Sequence, residues 1–130
     1  FVIVTEGFKA AMWVSQSGYK NTVALMGVDF TQEQVGLLCS INKPVYVMLD
    51  RDEPGRKASE KLAISLYSKG INVLYVSYRL EASPDDLSAE EITAAITEAT
   101  PHIRSDYGNM ATKIEKQPKT ERKKGQRRAL

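Results

Sequence analysis

The sequence predicts an α/β fold in which a parallel sheet of about four strands is flanked by helices. Four short runs are nearly continuous in apolar residues, which is typical of strands covered on both faces: residues 1–5, 22–26, 44–49 and 72–77. Segments with helical periodicity lie between these runs. An alternation of strand and helix indicates right-handed βαβ units that build a parallel sheet.

The first two connecting segments carry separate helix signals. The first helix is predicted over roughly residues 8–17 and ends near Gly18. Thr31 and Gln34 have the spacing of a capping box, which opens the second helix. Cys39 falls on the apolar face of this second helix, so we expect it to pack in the core rather than react.

The third and fourth helices have equally clear limits. The third is predicted over residues 54–69, because proline suits the first turn of a helix and Gly70 is a natural residue just after its end. Ser88 and Glu91 form another capping box, and the helix that they open is ended by Pro101.

Composition excludes several classes of protein. The 130 residues suffice for about one domain, and 42% hydrophobic with 26% charged residues is ordinary globular usage. The longest apolar runs are about five residues, whereas a membrane span needs roughly twenty. A single cysteine and the lack of a secretory leader lead us to expect a cytoplasmic protein. Because the chain starts at Phe1 within a predicted strand, we expect a piece of a larger protein.

The C-terminal segment is strongly basic. Residues 113–130 contain eight basic and two acidic residues, so their net charge is +6. The net charge of the whole chain is +2, so residues 1–112 have a net charge of −4. We expect a folded domain over residues 1–105 and a tail without fixed structure over residues 106–130. Such a tail is either a solvated end or a site for nucleic-acid phosphates, formed by Lys113, Lys116, Lys119, Arg122, Lys123, Lys124, Arg127 and Arg128.

Acidic side chains follow several of the predicted strands. Glu6 comes after the first strand, Asp50 and Asp52 come after the third, and Asp85 lies in the loop after the fourth. Functional groups of open α/β sheets lie beyond the carboxyl ends of the strands, so we expect these acids to converge. Carboxylate oxygens suit Mg²⁺ and related ions, which assist phosphoryl or nucleotidyl transfer and phosphodiester hydrolysis.

A structural role for the paired aspartates is the alternative. Asp50 and Asp52 precede the predicted third helix, and acidic residues at that position stabilise the N-terminus of a helix. Gly55 is expected to let the backbone turn tightly into this helix.

These motifs, in this order and strand context, resemble the Toprim domain, a Rossmann-like module of topoisomerases, bacterial-type primases, small nucleases and recombination proteins. The resemblance covers roughly residues 1–99 and rests on Glu6-Gly7, Asp50-x-Asp52-x-x-Gly55-x-x-Ala58 and Pro84-Asp85. Phe8 after Gly7 and the stretch over residues 23–34 are most similar to the primase branch, bacterial or phage.

The resemblance implies a function and a set of site residues. Glu6, Asp50 and Asp52 would be catalytic, and together with Asp85 they would bind Mg²⁺ or Mn²⁺. The implied activity is that of a DNA primase, which joins ribonucleoside triphosphates on a single-stranded DNA template. A replicative helicase is the further implied partner, through parts absent from this sequence.

Two positions depart from the primase pattern. Ala10 and Ser83 stand where similar primases usually carry Asp, so the outer part of the acidic set is thinner here. One Cys and one His cannot build the zinc module of a primase. We therefore expect a fragment with weak or no activity alone.

Two other functions of the same fold stay open: a metal-dependent nuclease and a non-catalytic nucleic-acid-binding module. A topoisomerase is less expected, because none of the six tyrosines appears beside the acidic residues in the sequence.

Overall fold

One sheet forms the centre of the computed structural model, which describes residues 1–103. Its strands in chain order are β1 (Val2–Thr5), β2 (Thr22–Ala24), β3 (Val45–Val47), β4 (Val73–Tyr75) and β5 (Thr100–Pro101). Their order across the sheet is β2-β1-β3-β4-β5. The strands β1 to β4 run parallel to one another, as predicted, whereas β5 runs antiparallel to β4.

Within residues 1–103, four helices connect the strands: α1 (Phe8–Gln16), α2 (Gln32–Ile41), α3 (Glu53–Ser68) and α4 (Ala89–Thr97). A short 3₁₀ turn, Pro84–Asp86, precedes α4. The capping boxes predicted at Thr31 and Ser88 are both present. No helix among residues 1–103 is long and apolar enough to cross a membrane.

The apolar residues of the strands alternate between two cores. On one face, Val45 and Val47 of β3 pack with Leu62 and Leu66 of α3 and with residues of α2. On the other face, Met48 packs with residues of α1 and α4. This alternation explains why the strands lack a polar side, since helices cover both faces of the sheet.

Two details differ from the prediction. The strand β5 was missed, because two residues give no recognisable pattern and the strand is held only by its pairing with β4. The strand β2 is not covered on both faces: it lies at the edge of the sheet, and Val23 is 42% exposed.

Candidate active site

The sheet order brings the first and third strands side by side. β1 and β3 are parallel neighbours with Val4 opposite Val47, so their carboxyl ends lie together. The Met48 N–H donates to the Val4 carbonyl at 2.8 Å and extends the pairing beyond the strand. The residues that follow, Glu6 and Asp50, therefore leave the sheet at the same edge.

Backbone hydrogen bonds fix Glu6 at this edge. Its carbonyl accepts the N–H groups of Met26 at 2.8 Å and Gly27 at 3.1 Å, both just beyond β2. To present them, the chain adopts positive φ angles, 68° at Met26 and 150° at Gly27, the second of which suits glycine. The position of Glu6 therefore depends on the turn after a different strand.

The carboxylates of Glu6, Asp50 and Asp52 lie close enough to repel one another. Burial raises the pKa of Glu6, and the charges of Asp50 and Asp52 raise it further, while a hydrogen bond from the Asp50 backbone offsets part of the rise. Burial also raises the pKa of Asp50, followed by the charges of Asp52, Asp85 and Asp86. The structure therefore brings the predicted acidic residues together.

One oxygen of Glu6 has no hydrogen-bond partner among residues 1–103. Oε1 is buried and forms no hydrogen bond within the described part of the chain. A buried acceptor without a donor costs free energy, and a cation at this point would recover it. This orphaned oxygen and the neighbouring carboxylates are a donor set that suits a hard divalent cation.

Asp52 also serves the helix that follows it. Its Oδ1 accepts the Gly55 backbone N–H at 2.8 Å and caps α3. Asp52 therefore has the structural role given above as the alternative, stabilisation of the N-terminus of a helix. Its charge also raises the pKa values of Glu6 and Asp50. The two roles coexist because a carboxylate has a second oxygen.

Gly55 has a different role from the one expected. It lies inside α3 rather than in a turn, so it does not supply a tight bend. A Cβ atom at this position would overlap the Asp50 carbonyl oxygen and lie 2.9 Å from Asp52 Oδ1. Glycine is required because the first turn of α3 packs directly against the backbone of Asp50.

The acidic residues of the 3₁₀ turn are arranged around Ser83. Its Oγ donates to Asp85 at 2.7 Å and to Asp86 at 3.1 Å, and its backbone N–H donates to Asp86 at 2.9 Å. These bonds from Ser83, together with the Arg79 charge, lower the pKa of Asp86. Ser83 is therefore the donor that organises this turn.

Asp85 and Asp86 reach the site through their charge rather than through contact. Both raise the pKa of Asp50, yet both are exposed. Within residues 1–103, no three acidic, His or Cys side chains are close enough to form a metal cage. The pair Glu6 and Asp50 is thus the structural centre of the site, and Asp85 lies at its outer side.

Two further residues of the site were missed. Tyr78 donates its hydroxyl to the Leu49 carbonyl at 2.6 Å, and burial and the nearby Asp50 raise its pKa. Arg51 lies over the Tyr78 ring at 5.9 Å. Tyr78 therefore lies near the acidic residues in the fold, although none of them is beside it in the sequence. The available signal was position, since Tyr78 follows β4 at the edge where Asp50 follows β3.

The predicted nucleic-acid-binding residues of the tail, Lys113 to Arg128, lie outside the described residues, as does the proposed domain boundary at residue 105.

Comparison with known proteins agrees with this geometry. A Toprim-like family model matches residues 3–88, which include all of the site residues described above. A DNA primase of Aquifex aeolicus is 34% identical over 90 residues, which cover 69% of this chain and 18% of the relative. A DNA primase of Staphylococcus epidermidis is 33% identical over 85 residues, 65% of this chain and 14% of the relative. The chain thus spans less than a fifth of the length of these relatives.

Solved structures show the same similarity. The crystal structure of the Aquifex aeolicus primase, with its zinc-binding and RNA polymerase domains, matches with a TM-score of 0.72 and 28% identity, covering 94% of this chain and 30% of that one. A DNA primase domain from Pseudomonas aeruginosa matches with a TM-score of 0.72 and 25% identity, and the match covers 88% of this chain and 37% of that one. This chain belongs to the Toprim-like family, and its Toprim domain is of the DNA primase type.

Proposed function

We propose that this chain is the catalytic, metal-binding Toprim module of a DNA primase, which transfers nucleotides to build an RNA primer on single-stranded DNA. Glu6, Asp50 and Asp52 would be the catalytic residues and, with Asp85, would hold Mg²⁺ or Mn²⁺. The observation that carries the proposal is the buried Oε1 of Glu6, which has no hydrogen-bond partner among residues 1–103 and lies at the strand end beside that of Asp50. Burial and the charges of Asp50 and Asp52 also raise the pKa of Glu6, as expected of a carboxylate cluster that receives a cation.

The residues of the site have distinct tasks in this reaction. The chemistry that a bound divalent cation supplies is activation of the primer 3′-hydroxyl and neutralisation of the pyrophosphate leaving group. Glu6, with its raised pKa, is suited to accept the hydroxyl proton. Asp50 and Asp52 would hold the cation, and the bond from the Gly55 N–H to Asp52 Oδ1 fixes the position of the Asp52 side chain.

The test is a titration with Mg²⁺ or Mn²⁺ followed residue by residue by NMR. We expect Mg²⁺ to shift the amide signals of Glu6, Asp50 and Asp52, and Mn²⁺ to broaden them. Asp50→Asn should abolish both effects. Asp29→Asn is the matched control, because Asp29 is an exposed acidic residue that follows a strand but contributes to neither raised pKa. Equal responses in the two variants would overturn the metal site.

Primer synthesis and strand cleavage separate the two enzymatic functions. The chain is incubated with labelled single-stranded DNA, ribonucleoside triphosphates and Mn²⁺. Extension products that Asp50→Asn eliminates support the primase, whereas shortened strands that Asp50→Asn eliminates support the nuclease. Metal binding with neither product would indicate a binding module.

The basic tail would contribute a separate contact with the template. Up to eight phosphate contacts steepen the dependence of log affinity on log salt by about 0.7 per contact on a single strand. Removal of residues 113–130 should therefore flatten that slope by up to about 6, as measured by fluorescence anisotropy. An unchanged slope would contradict the role of the tail. Contact with a replicative helicase, through parts outside this sequence, belongs to the same proposal.

A further inference from the structure

The chain beyond β3 is held by the β4 loop, which is residues 76–83 between β4 and the 3₁₀ turn. The Arg51 N–H donates to the Ala82 carbonyl at 2.8 Å, and the Glu81 N–H donates to the Arg51 carbonyl at 3.1 Å. Glu81 has a positive φ of 61°, a conformation that is uncommon for a residue other than glycine. Two backbone hydrogen bonds from another segment therefore fix the residue that follows Asp50.

A side chain of the β4 loop fixes the residue that precedes Asp50. Tyr78 donates its hydroxyl to the Leu49 carbonyl at 2.6 Å. Its ring is partly buried and packs against the core on the α1 and α4 face, which includes Leu87 and Ile92. Burial and the nearby charge of Asp50 raise the pKa of Tyr78, so the hydroxyl keeps its proton at neutral pH and remains a donor.

The hydroxyl of Tyr78 acts on the peptide group between Leu49 and Asp50. A peptide group is planar, so the direction of its carbonyl fixes the direction of its N–H. This N–H belongs to Asp50 and forms the hydrogen bond that offsets part of the rise in the pKa of Glu6. A donor on the carbonyl also polarises the peptide group and strengthens the bond that its N–H makes. One hydroxyl therefore acts on the positions of both Asp50 and Glu6.

We propose that Tyr78 is a positioning residue of the acidic site, which acts through the Leu49–Asp50 peptide group to hold the carboxylates of Glu6 and Asp50 in one orientation. This role rests on the proposed function, since the carboxylates would be held for a divalent cation. Loss of a hydrogen-bonding group behind the metal ligands typically lowers metal affinity about 10–100-fold. Tyr78 should therefore affect cation binding although its hydroxyl is bonded to the backbone.

The first measurement is made on the full chain in buffer with a chelator, so that no metal is bound. Tyr78→Phe removes the hydroxyl and keeps the ring that packs in the core. At pH 7 we expect the Asp50 amide proton to move upfield in the NMR spectrum, because its hydrogen bond to Glu6 weakens. The Arg51 amide should exchange with solvent about fivefold faster, because the attachment to the β4 loop is loosened.

Tyr46→Phe is the matched control. Tyr46 is also partly buried and its ring packs against the same core as that of Tyr78, but it lies within β3 rather than in the β4 loop. The Asp50 and Arg51 amides should therefore be unchanged in this variant. Glu6→Gln serves as the reference for the shift of the Asp50 amide, because it changes the acceptor of the same N–H.

The second measurement is the affinity for Mn²⁺ alone, obtained from the EPR signal of the free ion. Tyr78→Phe should weaken Mn²⁺ binding about tenfold, at the lower end of the range for such groups because it acts through the backbone. Tyr46→Phe should change the affinity less than about twofold. Melting temperatures of the two variants should be similar, so that a loss of affinity in one of them reports position rather than stability.

The two measurements separate this inference from the proposed function. If Mn²⁺ binds and its affinity responds equally to Tyr78→Phe and Tyr46→Phe, the positioning role is overturned while the metal site stands. If the unaltered chain binds no Mn²⁺, the proposed function fails, and the metal-free spectra decide the positioning role. An Asp50 amide that shifts only in Tyr78→Phe then supports this role, and an Asp50 amide that does not shift overturns it.

Discussion

Two groups of acidic residues lie at the same edge of the sheet but behave in opposite ways. At the strand ends, the pKa values of Glu6 and Asp50 are raised by burial and by neighbouring carboxylates. In the 3₁₀ turn, the pKa of Asp86 is lowered by hydrogen bonds from Ser83. At the strand ends, one buried oxygen of Glu6 has no donor among residues 1–103, whereas Ser83 supplies the donors for Asp86 in the turn.

This difference in pKa indicates which acidic residues stabilise the fold and which do not. Asp86 is satisfied by the N–H and hydroxyl of Ser83, so its negative charge stabilises the turn. In the described part of the chain, one buried oxygen of Glu6 has no hydrogen-bond partner, so the negative charge of Glu6 opposes folding. A fold tolerates such a pair where something outside the chain compensates it, as a cation would under the proposed function.

The largest effect is expected from the packing that supports the strand-end pair. Gly55→Ala places a methyl group on the Asp50 carbonyl oxygen and should reduce the free energy of unfolding by about 3 kcal/mol, measured by urea denaturation. The matched control is Gly36→Ala in α2, where nothing lies within 4 Å of the new methyl group and alanine should stabilise by roughly 0.5–1 kcal/mol. Similar effects at the two glycines would contradict the close packing of α3 against Asp50.

The helix cap at Asp52 is expected to have the next largest effect. Asp52→Ala removes the oxygen that accepts the Gly55 N–H and should cost about 1 kcal/mol of stability. Asp52→Asn retains a good capping group, so stability should change little while the charge is lost. Chemical denaturation of both variants separates the structural role of Asp52 from its electrostatic one; equal destabilisation by Ala and Asn would refute the separation.

Neutralising one acidic residue from each group should change stability in opposite directions. Without metal at pH 7, Asp50→Asn relieves the repulsion between Asp50 and the neighbouring carboxylates. The melting temperature should rise by only about 1–3 °C, because solvent screens much of this repulsion. Asp86→Asn weakens the hydrogen bonds from Ser83 and should lower it. Differential scanning calorimetry measures both melting temperatures. A lower melting temperature in both variants would contradict the proposed difference between the two groups of acidic residues.

The smallest effect is expected in the pH dependence of the difference in melting temperature between Asp50→Asn and the unaltered chain. Because the folded-state pKa values of Glu6 and Asp50 are raised, ionisation of these residues penalises the folded state at neutral pH. As pH falls through the raised values, the folded state takes up protons first and regains stability. The penalty is gone below the unfolded-state values near 4. The gap in melting temperature between Asp50→Asn and the unaltered chain should therefore narrow from pH 7 to pH 4; a constant gap would show that the repulsion is absent.

Much of the fold was predictable because it depends on local signals. The capping boxes at Thr31 and Ser88 and the left-handed Gly70 after α3 are decided by short-range chemistry. The parallel sheet follows from the alternation of apolar strands with helices. The strand β5 and the exposed side of β2 were not predictable in this way, since both depend on the order of strands across the sheet.

The candidate site was predictable in position but less so in detail. Topology places Glu6 and Asp50 at neighbouring strand ends, so their meeting followed from the fold class. The packing role of Gly55 and the approach of Tyr78 to the acidic residues depend on side-chain contacts between distant segments, which no spacing encodes. Asp52 shows that the structural and electrostatic interpretations of one residue need not exclude each other.

The convergence of Glu6 and Asp50 is tested most directly by titrating Glu6 itself. The pKa of the Glu6 side chain is measured by carbon-detected NMR, without metal, in the unaltered chain and in Asp50→Asn. A value above the ordinary range that falls when Asp50 is neutralised is the predicted result, because Asp50 is the largest charge acting on Glu6. A Glu6 pKa that is ordinary, or that does not respond to Asp50→Asn, would show that the two carboxylates do not share a site.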